Sequence, residues 1–178
     1  MVPTSDRQGK CIAKLLIEDA SPLGVWDVGP GEGTYAMLCA DYIASAETFW
    51  FAVEIWKPYI SQYDLKLKYD KVIHDDIRNL PFVGEADQGA DLIIFGDVLE
   101  HMPEDDARQL ILKAKQHFRW ILVSIPIIHA PQGEVNGNPY EAHVKHWGFD
   151  EMHAAMGYCM AFKGHTIGLY WWDSEEDV

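Results

Sequence analysis

Cysteine is scarce: Cys11, Cys39 and Cys159 are the only three in 178 residues. Their number is odd and no CxxC or Cys/His spacing joins them, which excludes a disulfide framework and a thiolate zinc motif. Buried, reduced thiols are expected. Long hydrophobic runs are missing as well. Runs such as 92–95 and 120–123 fall far short of the roughly 20 residues that span a bilayer. The start, MVPTSDRQGK, lacks the apolar core of a signal peptide. A cytoplasmic chain with no membrane partner is the expectation.

Positive charge is the third shortage. Fourteen Lys and Arg stand against 28 Asp and Glu, a net charge of -14, and residues 1–90 hold eight of these bases while 91–178 hold six. A duplex carries one negative charge per about 1.7 Å, so a chain without a basic patch is repelled at long range. Nucleic acid is not expected as a partner. What the chain does have is 48% apolar and 12% aromatic residues, enough to rule out disorder and to fill the core of one domain.

Apolar, β-rich runs at 25–28, 49–54, 71–74, 91–95, 120–125, 159–163 and 167–172 read as strands. Helical spacing lies between them at 13–18, 35–45, 59–69, 104–118 and 149–156. Such alternation predicts a Rossmann-like α/β domain: a seven-stranded, mostly parallel sheet with helices on both faces. The last two strands are joined by a short turn at Gly164-His165, which suits an antiparallel hairpin at the edge. Residues 126–147 are too polar and turn-rich for regular structure, and a connection that long inside a domain is usually a functional loop or lid. The acidic tail, 173–178, is expected to stay solvated.

The chemistry concentrates at Val25-Trp26-Asp27-Val28-Gly29-Pro30-Gly31-Glu32-Gly33-Thr34, a strand entering a glycine turn that opens a helix. Absent β-carbons let backbone approach a ligand closely, and the following helix offers free N–H groups. A dinucleotide fingerprint would place its third glycine at Thr34, and no Gly-Lys-Ser/Thr follows for a phosphate loop. An acid inside the strand, Asp27, suits a ligand with a cationic amino-acid group better than a pyrophosphate.

This run resembles the first motif of class I S-adenosylmethionine-dependent methyltransferases, an acid, one residue, then Gly-x-Gly-x-Gly. Later segments agree in order. Glu54 closes the second strand, Asp75-Asp76-Ile77 precedes Leu80-Pro81-Phe82, and Gly96-Asp97-Val98-Leu99-Glu100-His101 follows the fourth strand like the Val-Leu-Glu-His turn of the small-molecule branch. The resemblance implies that S-adenosyl-L-methionine is the cofactor, bound by Asp27, Gly29, Gly31, Gly33, Glu54, Asp76, Ile77 and Gly96. Glu54 would accept from the ribose hydroxyls, Asp76 from the adenine amino group, and the Ile77 N–H would meet the ring. The implied activity is methyl transfer to an O or N atom of a small-molecule acceptor. An inactive cofactor-binding protein and a nucleotide-dependent oxidoreductase remain as alternatives.

An acceptor that carries a proton needs a base, and Asp97, His129, His143 and His146 are the available candidates, with Asp97, His143 and His146 preferred. For Glu100 and His101 the residues leave open a purely structural role in the turn before the helix at 104. The spacing of His143 and His146 invites a metal, but no neighbouring carboxylate pattern completes a site, so none is expected. About 23 residues precede the first strand, which limits the substrate cap to 12–16 and the 126–147 loop.

Overall fold

Along every central strand the apolar residues alternate between two faces, and each face is covered by its own set of helices. In the computed structural model, which describes residues 9–45, 48–82 and 89–176, the strands are β1 (Gly24–Val28), β2 (Phe49–Val53), β3 (Lys71–Ile73), β4 (Leu92–Gly96), β5 (Trp120–Pro126), β6 (Met160–Lys163) and β7 (Ile167–Asp173). Their order is β3-β2-β1-β4-β5-β7-β6; β3 to β5 run parallel, while β7 pairs antiparallel with β5 and β6. The expected sheet and its antiparallel edge are both present.

The helices are α1 (Lys10–Ala20), α2 (Thr34–Leu38), α3 (Ala40–Ser45), α4 (Lys57–Gln62), α5 (Leu65–Lys68), α6 (Glu104–Lys115) and α7 (Phe149–Met156). Two expected helices are broken. The 35–45 segment divides at Cys39, and 59–69 divides where Asp64 takes a left-handed conformation, φ 51°, that an Asp tolerates better than most residues. Trp26, Val28, Ile93, Phe95, Ile121 and Val123 pack against α6 and α7 on one face. Val25, Trp50, Ala52, Leu92, Ile94 and Leu122 pack on the other, with Ala13 and Ile17 of α1 and Leu65 of α5.

Three expectations change in detail. Cys39 is buried but Cys11 is exposed and Cys159 half-buried, none of the three being in a disulfide. The tail is exposed at 174–176, as expected, but it is also tethered: Trp120 Nε1 donates to Asp173 at 2.7 Å and Arg119 pairs with Glu175 at 2.9 Å, while 177–178 lie outside the described residues. Within the 126–147 connection the chain makes a tight turn bridged between Val135 and Asn138 and one 3-10 turn, Pro139–Glu141. No helix among the described residues is long and apolar enough to cross a membrane.

Candidate active site

The first strand alternates Val25, Trp26, Asp27, Val28 between the two faces, so Asp27 falls where its neighbours are apolar. It is 1% exposed, and Tyr69 donates to its Oδ2 at 2.6 Å. Burial pushes the Asp27 carboxyl up to about 7, against the pull of Tyr69 and of Lys10. On the same face Gly96 ends β4 beside Ser124 of β5. A Cβ on Gly96 would sit 2.3 Å from the Tyr35 ring, so only glycine lets α2 close on the sheet here.

Lys10 closes this polar cluster, and the sequence reading missed it. Its Nζ donates to Tyr35 Oη at 2.8 Å and lies 3.8 Å from Asp97. Burial alone would lower the Lys10 pKa, yet the Tyr35 oxygen and the Asp97 and Asp27 carboxylates outweigh it and raise it. The signal was available: Lys10, Ala13 and Ile17 are the buried residues of α1, one helical stripe that contains a lysine. Lys10 lines the site, whereas Ile12 and Leu16, expected to cap the substrate, pack against the core.

The three turn glycines all have positive φ but do different work. A Cβ at Gly29 would meet Val98 at 2.8 Å and one at Gly33 would meet Lys68 at 3.0 Å, whereas at Gly31 nothing lies within 4 Å. Gly31 therefore borders open space, and Gly33 serves packing beside Tyr69.

Two adjoining cavities lie at the carboxyl ends of β1 and β4, the point where the strand order reverses and open α/β sheets bind ligands. The larger, about 310 Å³, is bordered by Lys10, Asp27, Tyr35, Glu100, His101 and His143. The smaller, about 130 Å³, is bordered by Glu54, Asp76, Ile77, Val98, Met102 and Tyr140. Gly29, Gly31 and Asp97 belong to both. Glu54 is 3% exposed and accepts from the Trp56 N–H at 2.7 Å; burial pushes its carboxyl up to about 7. Asp76 caps the turn Ile77–Asn79 and holds Arg78, whose guanidinium overcomes partial burial and lowers the Asp76 pKa.

Of the candidate bases, Asp97 and His143 reach the cavities and His146 does not. His146 is exposed and packs edge-on against His129, with ring centroids 5.5 Å apart. The cause is Trp147, fully buried in the core, with Val144 and Lys145 donating to the Glu100 carbonyl at 2.8 and 3.0 Å. These anchors set the 143 side chain inward and leave 146 at the surface. Asp97 has φ 58°, and neither carboxylate oxygen has a hydrogen-bond partner in the protein.

A family model described as a methyltransferase domain matches residues 26–119, just over half of the chain. The chain belongs to that family. Its members are class I S-adenosylmethionine-dependent methyltransferases, and solved structures of the same fold agree. The methyltransferase domain of bacterial CtHen1 superposes with a TM-score of 0.67 at 16% identity, over 96% of this chain and 98% of that one. The PH0226 protein of Pyrococcus horikoshii OT3 gives 0.66 at 15%, over 97% and 92%. The 1,6-didemethyltoxoflavin-N1-methyltransferase of Burkholderia thailandensis, solved with its substrate and S-adenosylhomocysteine, gives 0.63 at 15%, over 93% and 78%. No curated protein sequence matches the chain. In this methyltransferase fold the cofactor is S-adenosylmethionine, and the residues present suit it: open space at Gly31, a buried carboxylate at Glu54, and an Asp27 oxygen without a partner.

Proposed function

We propose that this protein methylates an oxygen or nitrogen atom of a small-molecule acceptor, with S-adenosylmethionine as donor, in the cytoplasm. The observation behind this conclusion is the pair of cavities that share Gly29, Gly31 and Asp97. The smaller is suited to the nucleoside, and the larger to the amino-acid end of the cofactor together with the acceptor. When bound, the cofactor supplies an electrophilic methyl group on a sulfonium sulfur.

Glu54 would hold the ribose hydroxyls, Asp76 the adenine amino group and the Ile77 N–H the ring edge, between the apolar walls Val98 and Met102. Asp27 provides negative charge for the cationic amino-acid end, the backbone at Gly29, Gly31 and Gly96 lets it approach, and Gly33 keeps the turn in shape. Most of the rate gain comes from placement, since holding two reactants in register is worth about 7–11 kcal/mol. Asp97, at the junction of the two cavities with carboxylate oxygens that no hydrogen bond engages, takes the proton of a protic acceptor. A volume of about 310 Å³ is at the lower end of small-molecule pockets, which run from roughly 300 to 1,000 Å³.

Calorimetric titration with S-adenosylhomocysteine and with NAD tests the cofactor half. Binding of the first and not the second is expected. Glu54→Ala should weaken it at least tenfold, because hydrogen bonds to a charged group contribute about 1.5–3 kcal/mol each. Unchanged affinity in that variant would remove Glu54 from the site. Labelled methyl transfer onto pooled small metabolites tests the acceptor half.

A further inference from the structure

The fold pulls the two lid histidines apart and gives His143 new neighbours. One ligand atom each from Glu100, His101 and His143 lie within 4.8 Å of one another, and the two imidazole centroids are 5.0 Å apart. The Nδ1 of His101 lies 3.1 Å from the Ala142 carbonyl and that of His143 lies 2.6 Å from the Ala130 carbonyl. A carbonyl only accepts, so each Nδ1 carries the ring proton and each Nε2 keeps a lone pair. Metal-binding histidines are oriented in this way by a carbonyl on the far nitrogen.

Glu100 adds a second, independent observation. It is 2% exposed, and neither carboxylate oxygen meets a partner from another residue. The nearest buried cation, Lys10, is engaged by Tyr35, Ser124 and Asp97. A buried carboxylate left so is costly unless it is protonated or meets a cation.

We propose that Glu100, His101 and His143 bind a divalent first-row transition-metal cation in the wall of the acceptor cavity. Two imidazoles and one carboxylate form a donor set for Mn²⁺, Fe²⁺, Co²⁺, Ni²⁺ or Zn²⁺, whereas Mg²⁺ and Ca²⁺ take oxygen ligands. Three protein ligands leave coordination positions for water or a substrate oxygen. All three side chains border the larger cavity, so an acceptor hydroxyl or carbonyl oxygen is the group that would occupy such a position. The purpose, though not the binding, rests on the methyltransferase reading above. The cation would also clasp the lid, because His143 comes from the lid and Glu100 and His101 from the turn after β4.

The test uses the full chain, stripped with a chelator and titrated with Co²⁺ while visible absorption and heat are recorded, with an S-adenosylhomocysteine titration on every sample. One Co²⁺ per chain with a visible ligand-field band is expected. His101→Ala, His143→Ala and Glu100→Gln should each weaken it by about tenfold or more, with nucleoside affinity retained in His143→Ala. His146→Ala should bind as the parent does. If Glu100→Gln fails to fold, His143→Ala, a half-buried lid position, carries the same comparison. No Co²⁺ binding by the parent, or parental affinity in His143→Ala, would overturn the site. Co²⁺ binding without S-adenosylhomocysteine binding would support the site and remove the cofactor reading; the reverse removes the metal alone.

Discussion

Tyr69, just past α5, donates its phenolic hydrogen to Asp27 of β1 across 2.6 Å. The bond keeps a carboxylate on a sheet face otherwise built from Val25, Ala52 and Ile94. Tyr69→Phe preserves the ring and removes the donor, and a hydrogen bond to a charged group is worth about 1.5–3 kcal/mol. Calorimetry at pH 8, where Asp27 is ionised, should show the melting point down by roughly 3–12 °C. At pH 5 the carboxyl is protonated and the loss should shrink. An equal loss at both pH values would mean that ring packing, not the hydrogen bond, is what the substitution disturbed.

Cofactor affinity should follow pH through the same kind of group. Burial holds Glu54 and Asp27 at about 7 in the ligand-free fold, above their ordinary values of 4.5 and 3.8. The folded chain therefore binds more protons than the unfolded one between those limits, so these two groups make it less stable as pH rises from about 4 to 7, with no further change above. A ribose diol donates more strongly to the ionised form of Glu54, whose two oxygens both accept, than to its acid form, so binding favours loss of the proton. Affinity for S-adenosylhomocysteine should rise up to tenfold per pH unit below about 7 and level off above. Titrations in two buffers of different ionisation enthalpy would count the protons released. Flat affinity from pH 5.5 to 8, with none released, would refute the coupling.

The mostly parallel sheet, its antiparallel edge and the family were legible because the sequence carries them locally. Short apolar, β-rich runs mark the strands, and Asp27, Gly29, Gly31, Glu54 and Asp76 each sit in a short motif. What could not be read depends on contacts between distant segments. Lys10 lies on the buried stripe of α1, but the partners it reaches, Tyr35 and Ser124, are 25 and 114 residues away and nothing within the helix names them. The lid histidines show the same limit, since spacing treats 143 and 146 alike. Burial of Trp147 in the core separates them, and Glu100 and His101 come from another strand's turn. Helix breaks at Cys39 and Asp64 escaped for the opposite reason: they are single-residue backbone events that leave the apolar pattern intact.

Gly31 gives the sharpest separation of binding from folding. Its φ is 54° and a Cβ there would meet no protein atom within 4 Å, so Gly31→Val places its branch in ligand space at a strain cost of about 1–3 kcal/mol. Melting should drop by about 2–12 °C, at about 2–4 °C per kcal/mol, while S-adenosylhomocysteine binding falls below detection. Gly33→Val is the contrasting variant: its Cβ meets Lys68 at 3.0 Å and Tyr69 Oη at 3.5 Å, so stability should suffer more. Equal stability loss in the two would show that the turn is not open at Gly31.

The lid reaches further than acceptor selection. Tyr140 borders the cavity that holds Glu54, and its ring lies 6.2 Å from that of Trp56, whose N–H holds Glu54 Oε1. The tip is shaped to deliver it: Asn136 and Gly137 both take positive φ in the turn bridged by Val135 and Asn138, and the buried Asn138 side chain then accepts from the Tyr140 N–H at 3.0 Å. Tyr140→Ala should therefore weaken S-adenosylhomocysteine by roughly 2- to 12-fold, the range for loss of one aromatic contact of about 0.5–1.5 kcal/mol. The ring is 46% exposed, so melting of the ligand-free chain should barely move. His143→Ala, on the other cavity, should leave that affinity unchanged and act on turnover. Calorimetry on both variants separates the two ends of the lid. Parental affinity in Tyr140→Ala would confine the lid to the acceptor.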